Sequence, residues 1–300
     1  MHQHATQAPP VFKTRAGQEE YIAAYNRVLQ QWPVAYNEIQ IPTKLGATHI
    51  IASGTEDAPP LFLLPSLAGS ALLWRPNVAA LSDTFRVYAI DTIGQAGKSE
   101  PNQRLKSRQL FVDWLNEIMR ALSIQKTSIA GASYGGFLAV NQAISAAESV
   151  DKIVLISPAG TFVGGLLWRF IKGRIIRLLT GNKKITFKDI LGKNATIAPE
   201  DTDYETLMNI MMNVSAFPNL TAPIVFSDTE LRNIQAPVLL LIGENEIIYS
   251  PEKVFKRAQS LVPNIQTKLI QHAHHLAGLA APAEVNKYML EFLLSTNHRN

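Results

Sequence analysis

Ser133 lies in the run Gly131-Ala132-Ser133-Tyr134-Gly135-Gly136, directly after an apolar run (124–130) and directly before a helix-like one (137–147). A serine held between glycines on a strand-to-helix turn has its hydroxyl exposed, and the glycines are needed where neighbouring chain passes too close for a Cβ. The chemistry that such a serine could do is nucleophilic attack on an acyl carbon. The plainer reading is a glycine-rich turn whose serine caps the following helix. A nucleophilic serine at neutral pH needs a base to take its proton and a third group to orient that base. Residues of the right types follow later in the chain: Glu244-Asn245-Glu246 after the apolar run 238–242, and His272-Ala273-His274-His275 after the run 267–270. Two carboxylates and three histidines are thus open as partners. His2 and His4 could bind a metal, but no third ligand accompanies them, and a frayed terminus is the plainer expectation.

The elements that must position these residues follow from periodicity. Residues 17–31 carry Tyr21, Ile22, Tyr25, Val28 and Leu29 at helical spacing. Residues 36–53 alternate, as in Glu38-Ile39-Gln40-Ile41, and predict an antiparallel hairpin with Leu45-Gly46 near its turn. Short continuous apolar runs follow: Leu61-Phe62-Leu63-Leu64, Val87-Tyr88-Ala89-Ile90, Ser128-Ile129-Ala130, Ile153-Val154-Leu155-Ile156 and Val238-Leu239-Leu240-Leu241-Ile242. Such runs fit strands buried on both faces of a parallel sheet. Helix-like stretches at 70–82, 107–123, 134–147, 251–262 and 282–294 separate them. The alternation predicts an α/β fold, a mostly parallel sheet covered by helices on both faces, with ligands gathering at the carboxyl ends of the strands.

The alternation lapses between about 160 and 230, which reads as a helical insertion between two strands rather than a domain with its own core. The expected organisation is an N-terminal helical segment (1–35), a core (36–160 and 231–300) and a helical cap or lid (161–230). Within the insertion, Met208, Met211 and Met212 suit either an adaptable lid surface or a core helix. Residues 166–179 read as an amphipathic helix, with Leu167, Ile171, Ile175, Leu178 and Leu179 on one face and Arg169, Lys172, Arg174 and Arg177 over the other. Over a pocket this is a cap with an apolar inner face; contact with a membrane surface is the alternative.

Composition bounds the rest. The 300 residues are 47% apolar and 17% charged, a globular profile, with a net charge of +4. The basic residues are dispersed and not interleaved with aromatics, so a nucleic-acid partner is not expected. There is no Cys, hence no disulfide framework or thiolate metal site. The first ten residues lack the apolar core of a secretory signal, and no apolar stretch is long enough to span a bilayer, so the expectation is a soluble cytoplasmic protein.

The order serine, acid, histidine along the chain is that of the α/β-hydrolases. From about residue 39 to the end, the chain resembles that fold family, and within it the bacterial carboxylesterase-like serine hydrolases with a helical cap. Five landmarks in order carry the resemblance: the 61–70 segment followed by Trp74; Asp91-Thr92-Ile93-Gly94-Gln95-Ala96-Gly97-Lys98-Ser99; the Ser133 turn; the 243–246 acid loop; and His275, with Pro282 opening the last helix. The resemblance implies His275 as the base, since an apolar residue follows it and a Pro stands seven positions on. His274 then takes the place of the usual Gly. It implies Glu246 as the acid, where Asp is commoner, and leaves Glu244 as a loop-surface carboxylate. The alternative placement, after the strand 153–156, has no carboxylate in Ser157-Pro158-Ala159-Gly160-Thr161.

Two backbone N–H groups are implied as the oxyanion hole, those of Tyr134 and Leu67. Pro65-Ser66 replaces the family's usual His-Gly pair, so Gly69 is expected to supply the loop's flexibility. The loop 91–99 is implied to be structural, with turn glycines rather than a phosphate cradle.

The function implied is hydrolysis of small or medium carboxylic esters with apolar acyl groups, through an acyl-enzyme, with no cofactor or metal. The partner is the small-molecule ester itself. Lactone or carbon–carbon bond hydrolysis, acyl transfer and perhydrolysis use the same machinery, and a ligand-binding sensor without rapid turnover is the non-enzymatic alternative. Haloalkane dehalogenase and epoxide hydrolase chemistry is disfavoured, because those relatives need a carboxylate where Ser133 stands.

Overall fold

A computed structural model describes residues 10–164, 186–187, 202–216 and 220–295. The amphipathic stretch 166–179 and His2 and His4 lie outside the described residues. Helix α1 (Arg15–Leu29) starts at Thr14, whose hydroxyl accepts from the Gly17 N–H. The hairpin of β1 (Tyr36–Thr43) and β2 (Gly46–Ser53) closes through Lys44 and Leu45, with Thr43 opposite Gly46. There follow β3 (Pro60–Leu64), α2 (Arg75–Ser82), β4 (Arg86–Ile90), the short β5 (Glu100–Pro101), α3 (Arg108–Ala121), β6 (Thr127–Ala132), α4 (Tyr134–Ser145) and β7 (Val150–Ile156). After them come α5 (Thr202–Val214), α6 (Asp228–Arg232), β8 (Val238–Gly243), α7 (Pro251–Leu261), β9 (Ile265–Ile270), α8 (Ala277–Ala280) and α9 (Pro282–Leu294).

The strands form one sheet in the order β1-β2-β4-β3-β6-β7-β8-β9, with β5 on β2. From β4 to β9 along this order every pairing is parallel, while β1 and β2 make an antiparallel edge. The period of two along each strand divides the core. Leu61 and Leu63 pack with residues of α1, α2 and α9 on one face, whereas Phe62 and Leu64 pack with residues of α3, α4 and α7 on the other. This is why the central strands read as unbroken apolar runs: both faces are covered, and each buried Leu or Phe contributes about 1.5–3 kcal/mol.

The stretch 70–82 is not one helix. A short 3-10 turn, Ala71–Trp74, precedes α2, because Pro76 has no N–H to continue an earlier helix and fits the first turn of a new one. In α5, Met208 and Met211 are buried in the core shared with Tyr21 and Tyr25 of α1, while Met212 is only partly covered. The chain on either side of α1 and α5 is joined directly: Lys13 N–H donates to Val214 O at 2.9 Å and Ala216 N–H to Val11 O at 2.8 Å. Among the described residues, no helix is long and apolar enough to cross a membrane.

Register sets up the site. Leu64 is level with Gly131, Ala132 with Ile156, Ile156 with Leu241, and Gly243 with Ile270. The first residues past β3, β6, β7, β8 and β9 therefore emerge along one edge of the sheet.

Candidate active site

Ser133 is the first residue past β6 and adopts φ +49°, ψ −107°, a conformation that costs a non-glycine residue strain energy. It is held there by its own backbone: Ser133 N–H donates to Ile156 O at 2.9 Å, and Ser133 O accepts from Ala159 N–H at 2.9 Å. The flanking glycines are steric necessities. A Cβ on Gly131 would lie 2.3 Å from the Gly135 carbonyl, and one on Gly135 would lie 2.2 Å from Leu64 O. Relative to Ser133→Ala, which loses the same hydroxyl, Ser133→Gly is expected to remove the strain and to raise unfolding stability by about 1 kcal/mol, read from the denaturant midpoint. A lower midpoint would mean that the turn stores no strain.

Three side chains predicted from separate parts of the sequence meet at the sheet edge. His275 Nε2 is 2.9 Å from Ser133 Oγ, and His275 Nδ1 is 2.7 Å from Glu246 Oε2. An ionised carboxylate only accepts, so Nδ1 carries the imidazole proton and Nε2 is left to accept from the serine hydroxyl. Glu246 is fully buried at its side chain. Burial pushes its carboxyl up, but the hydrogen bond and charge of His275, with the Ile248 N–H that donates to Oε1 at 2.8 Å, outweigh this and hold it below its ordinary value. The extra methylene of Glu over Asp is accommodated by the acid sitting three residues beyond the strand end, where the loop turns back on Gly243 through the Glu246 N–H.

The other candidates separate from this group. Glu244 accepts the His272 N–H at 2.9 Å and stays partly exposed, with His272 itself at the surface. His274 is buried beside the base, and burial together with the neighbouring His275 holds its pKa down at about 4. Its Nδ1 accepts from Leu276 N–H at 3.1 Å. The ring thus spans the peptide that follows His275 rather than sharing a hydrogen bond with the base.

Tyr134 opens α4, so its N–H lies at the free-donor end of a helix, while its hydroxyl donates to Thr221 O at 2.9 Å. In the loop after β3, Gly69 N–H donates to Ser66 O and Ala71 N–H to Asp91 Oδ1. The N–H groups of Leu67 and Tyr134 have no acceptor among the described residues. The left-handed residue of this loop is Ala68, at φ +62°, and not Gly69. Gly69 instead permits a close approach, its missing Cβ lying 2.8 Å from Ser66 Oγ.

Two features were not foreseen. Tyr249, three residues past Glu246, sets its ring edge-on to His275 at 6.5 Å, and its phenol is raised by burial and by the Glu246 charge. Asp91, read only as part of a structural loop, is the centre of a buried polar cluster. Its Oδ2 receives His49 Nδ1 at 3.0 Å, Tyr25 OH at 3.1 Å and Lys98 N–H at 2.8 Å; His49 Nε2 is 2.8 Å from Glu38 Oε2. Burial alone would depress His49, yet the hydrogen bonds and charges of the two carboxylates hold its pKa raised. The alternation of β1 and β2 gave the spacing of Glu38 and His49, but no local pattern links them to Asp91.

Comparison with known proteins agrees with this architecture. A family model described as the alpha/beta hydrolase fold matches residues 59–175. The chain is 35% identical over 283 residues to Carboxylesterase YbfK of Bacillus subtilis (strain 168), covering 91% of this chain and 93% of the relative. It is also 35% identical over 278 residues to Uncharacterized carboxylesterase nap of the same organism, covering 91% of each. The crystal structure of naproxen esterase (carboxylesterase NP) from Bacillus subtilis superposes with a TM-score of 0.81 at 32% identity, over 94% of this chain and 99% of that one. The chain belongs to the α/β hydrolase fold family, as one of its carboxylesterase-like members.

Proposed function

We propose that the protein hydrolyses carboxylic esters of small or medium, apolar acyl groups through an acyl-enzyme on Ser133. The hydrogen-bonded series Glu246–His275–Ser133 carries this reading. In the first half-reaction Ser133 Oγ attacks the ester carbon while His275 Nε2 takes its proton. The negative charge that develops on the carbonyl oxygen is received by the N–H groups of Leu67 and Tyr134, each such donor being worth about 10²–10³ in rate. Collapse expels the alkoxide, which takes the proton back from His275. Water then repeats the sequence on the acyl-enzyme, with the same imidazole as base. Glu246 holds the productive tautomer throughout and stays ionised.

Residues 161–230 would form the cap of this site, with residues 36–160 and 231–300 as the hydrolase core and 1–35 as an N-terminal segment. The placement is supported by where the insertion leaves and rejoins the sheet: it departs past the carboxyl end of β7, on the edge where Ser133 lies, and returns at β8. The apolar residues in the sequence of this insertion, among them Leu167, Ile171 and Ile175, favour an apolar acyl group over a charged one.

A fluorophosphonate probe, followed by a chain-length series of p-nitrophenyl esters, tests the reading. The expected result is stoichiometric labelling at Ser133, with turnover greatest for short or medium apolar acyl chains. A native protein inert to both the probe and the whole series would overturn it.

A further inference from the structure

We propose that Gln95 is a positioning residue for the oxyanion hole: its side-chain carbonyl, bound to the Ala68 N–H, holds the loop after β3 in the conformation that leaves the Leu67 N–H free for the substrate's oxyanion. The inference rests on the esterase reading above.

The loop from Pro65 to Ser70 has no regular structure to fix it, so its peptide orientations depend on individual hydrogen bonds. Gly69 N–H closes a turn onto Ser66 O at 3.0 Å. The other two restraints come from the loop 91–99. Ala71 N–H donates to Asp91 Oδ1 at 2.7 Å, and Ala68 N–H donates to Gln95 Oε1 at 2.5 Å. Asp91 is itself immobilised by His49, Tyr25 and the Lys98 N–H, and Gln95 by its own N–H on Thr92 O at 3.2 Å. A rigid buried cluster therefore grips the loop at two points, one of them the residue immediately after the implied donor.

The second observation is strain. Ala68 sits at φ +62°, where a residue with a Cβ is penalised by about 1–2 kcal/mol. A flip of the peptide between Leu67 and Ala68 changes only ψ of Leu67 and φ of Ala68. It would relieve that strain and leave the adjoining Ser66–Leu67 peptide, which carries the donor N–H, without its restraint on the Ala68 side. Gln95 opposes the flip, since a flipped peptide would turn the Leu67 carbonyl oxygen towards Oε1. Gln95 is buried, and its Nε2 has no hydrogen-bond partner among the described residues, so Oε1 is the atom through which this side chain acts.

The test uses Gln95→Met, nearly isosteric but without the acceptor, in the full chain. For Gln95→Met, kcat on a p-nitrophenyl ester should fall about 10- to 100-fold while KM changes less than about threefold. Affinity for a trifluoromethyl ketone, which forms an anionic adduct with the serine, should fall by the same factor as kcat. A merely structural role would lower the thermal midpoint and leave the ratio of adduct to substrate affinity unmoved. The proposal is overturned if Gln95→Met keeps native kcat and adduct affinity, or if it lowers the thermal midpoint and leaves the ratio of adduct to substrate affinity at the native value. If the native protein is labelled at Ser133 and turns over esters, such a result defeats this proposal alone. A native protein inert to probe and esters defeats the esterase reading and this proposal with it.

Discussion

Ser133→Ala should lower kcat/KM on p-nitrophenyl esters by about 10⁶-fold and abolish fluorophosphonate labelling, while leaving the fold intact. The size of the loss follows from the way the three groups act as a unit. Without Oγ, the imidazole has nothing to deprotonate, and what remains is binding and the N–H pair, worth about 10³–10⁴ over water. The fold should hardly notice. Alanine keeps the Cβ, so the strained φ of +49° persists, and the lost Oγ to His275 bond at 2.9 Å costs about 1 kcal/mol. The contrast with Ser133→Gly is informative, because that variant is equally inactive yet should be the more stable of the two. Labelling, steady-state rates and denaturant midpoints on the three proteins separate chemistry from strain. Residual activity of Ser133→Ala above about a hundredth of the native rate would point to a different nucleophile.

What could be read in the sequence, and what could not, divides by the range of the interaction. The central strands were legible because burial on both faces demands continuous apolar runs, as in Leu61 to Leu64. The Ser133 turn was legible because its glycines announce a tight turn: Gly131 stands where the Gly135 carbonyl leaves no room for a Cβ, and Gly135 where Leu64 of the neighbouring strand leaves none. The place of Met208 and Met211 was not, since helical spacing defines a buried face without saying which partner covers it. Here that partner is α1, some two hundred residues earlier in the chain than α5 by element order. The conformation of the loop after β3 was not legible either: its positive φ falls on Ala68, whose N–H is bound by Gln95 from a separate loop, so no local signal announces it. The Asp91 cluster likewise joins Glu38, His49, Tyr25 and Lys98, whose types suggest charged or polar surface until the structure shows them facing one another.

Glu246→Gln should cost about 10⁴-fold in kcat although the side chain keeps its shape. The argument turns on the two oxygens. Oε1 accepts the Ile248 N–H at 2.8 Å and Oε2 accepts His275 Nδ1–H at 2.7 Å. An amide has one acceptor oxygen. If it stays on the buried Ile248 N–H, the NH₂ faces Nδ1 and forces the imidazole proton onto Nε2. That nitrogen then points a proton at Ser133 Oγ and cannot act as its base. Glu246→Asp keeps the charge but withdraws it by one methylene, so its loss should be smaller, about 10- to 100-fold. Glu244→Gln, one turn of the loop away and bound to the His272 N–H at the surface, should stay within about twofold of native. The pH response carries the same signature. Glu246 is held below its ordinary value near 4.5 in the folded state, so the stability it contributes is complete above that value and is lost as pH falls through the depressed one. Native protein should therefore lose denaturant midpoint as pH falls below about 4.5 more steeply than Glu246→Gln, which has no proton to take up at this site. Rates at neutral pH and midpoints over that acid range test the two halves of the claim on the same proteins. If Glu246→Gln runs within tenfold of native, or if Glu244→Gln is the variant that fails, the acid has been assigned to the wrong carboxylate.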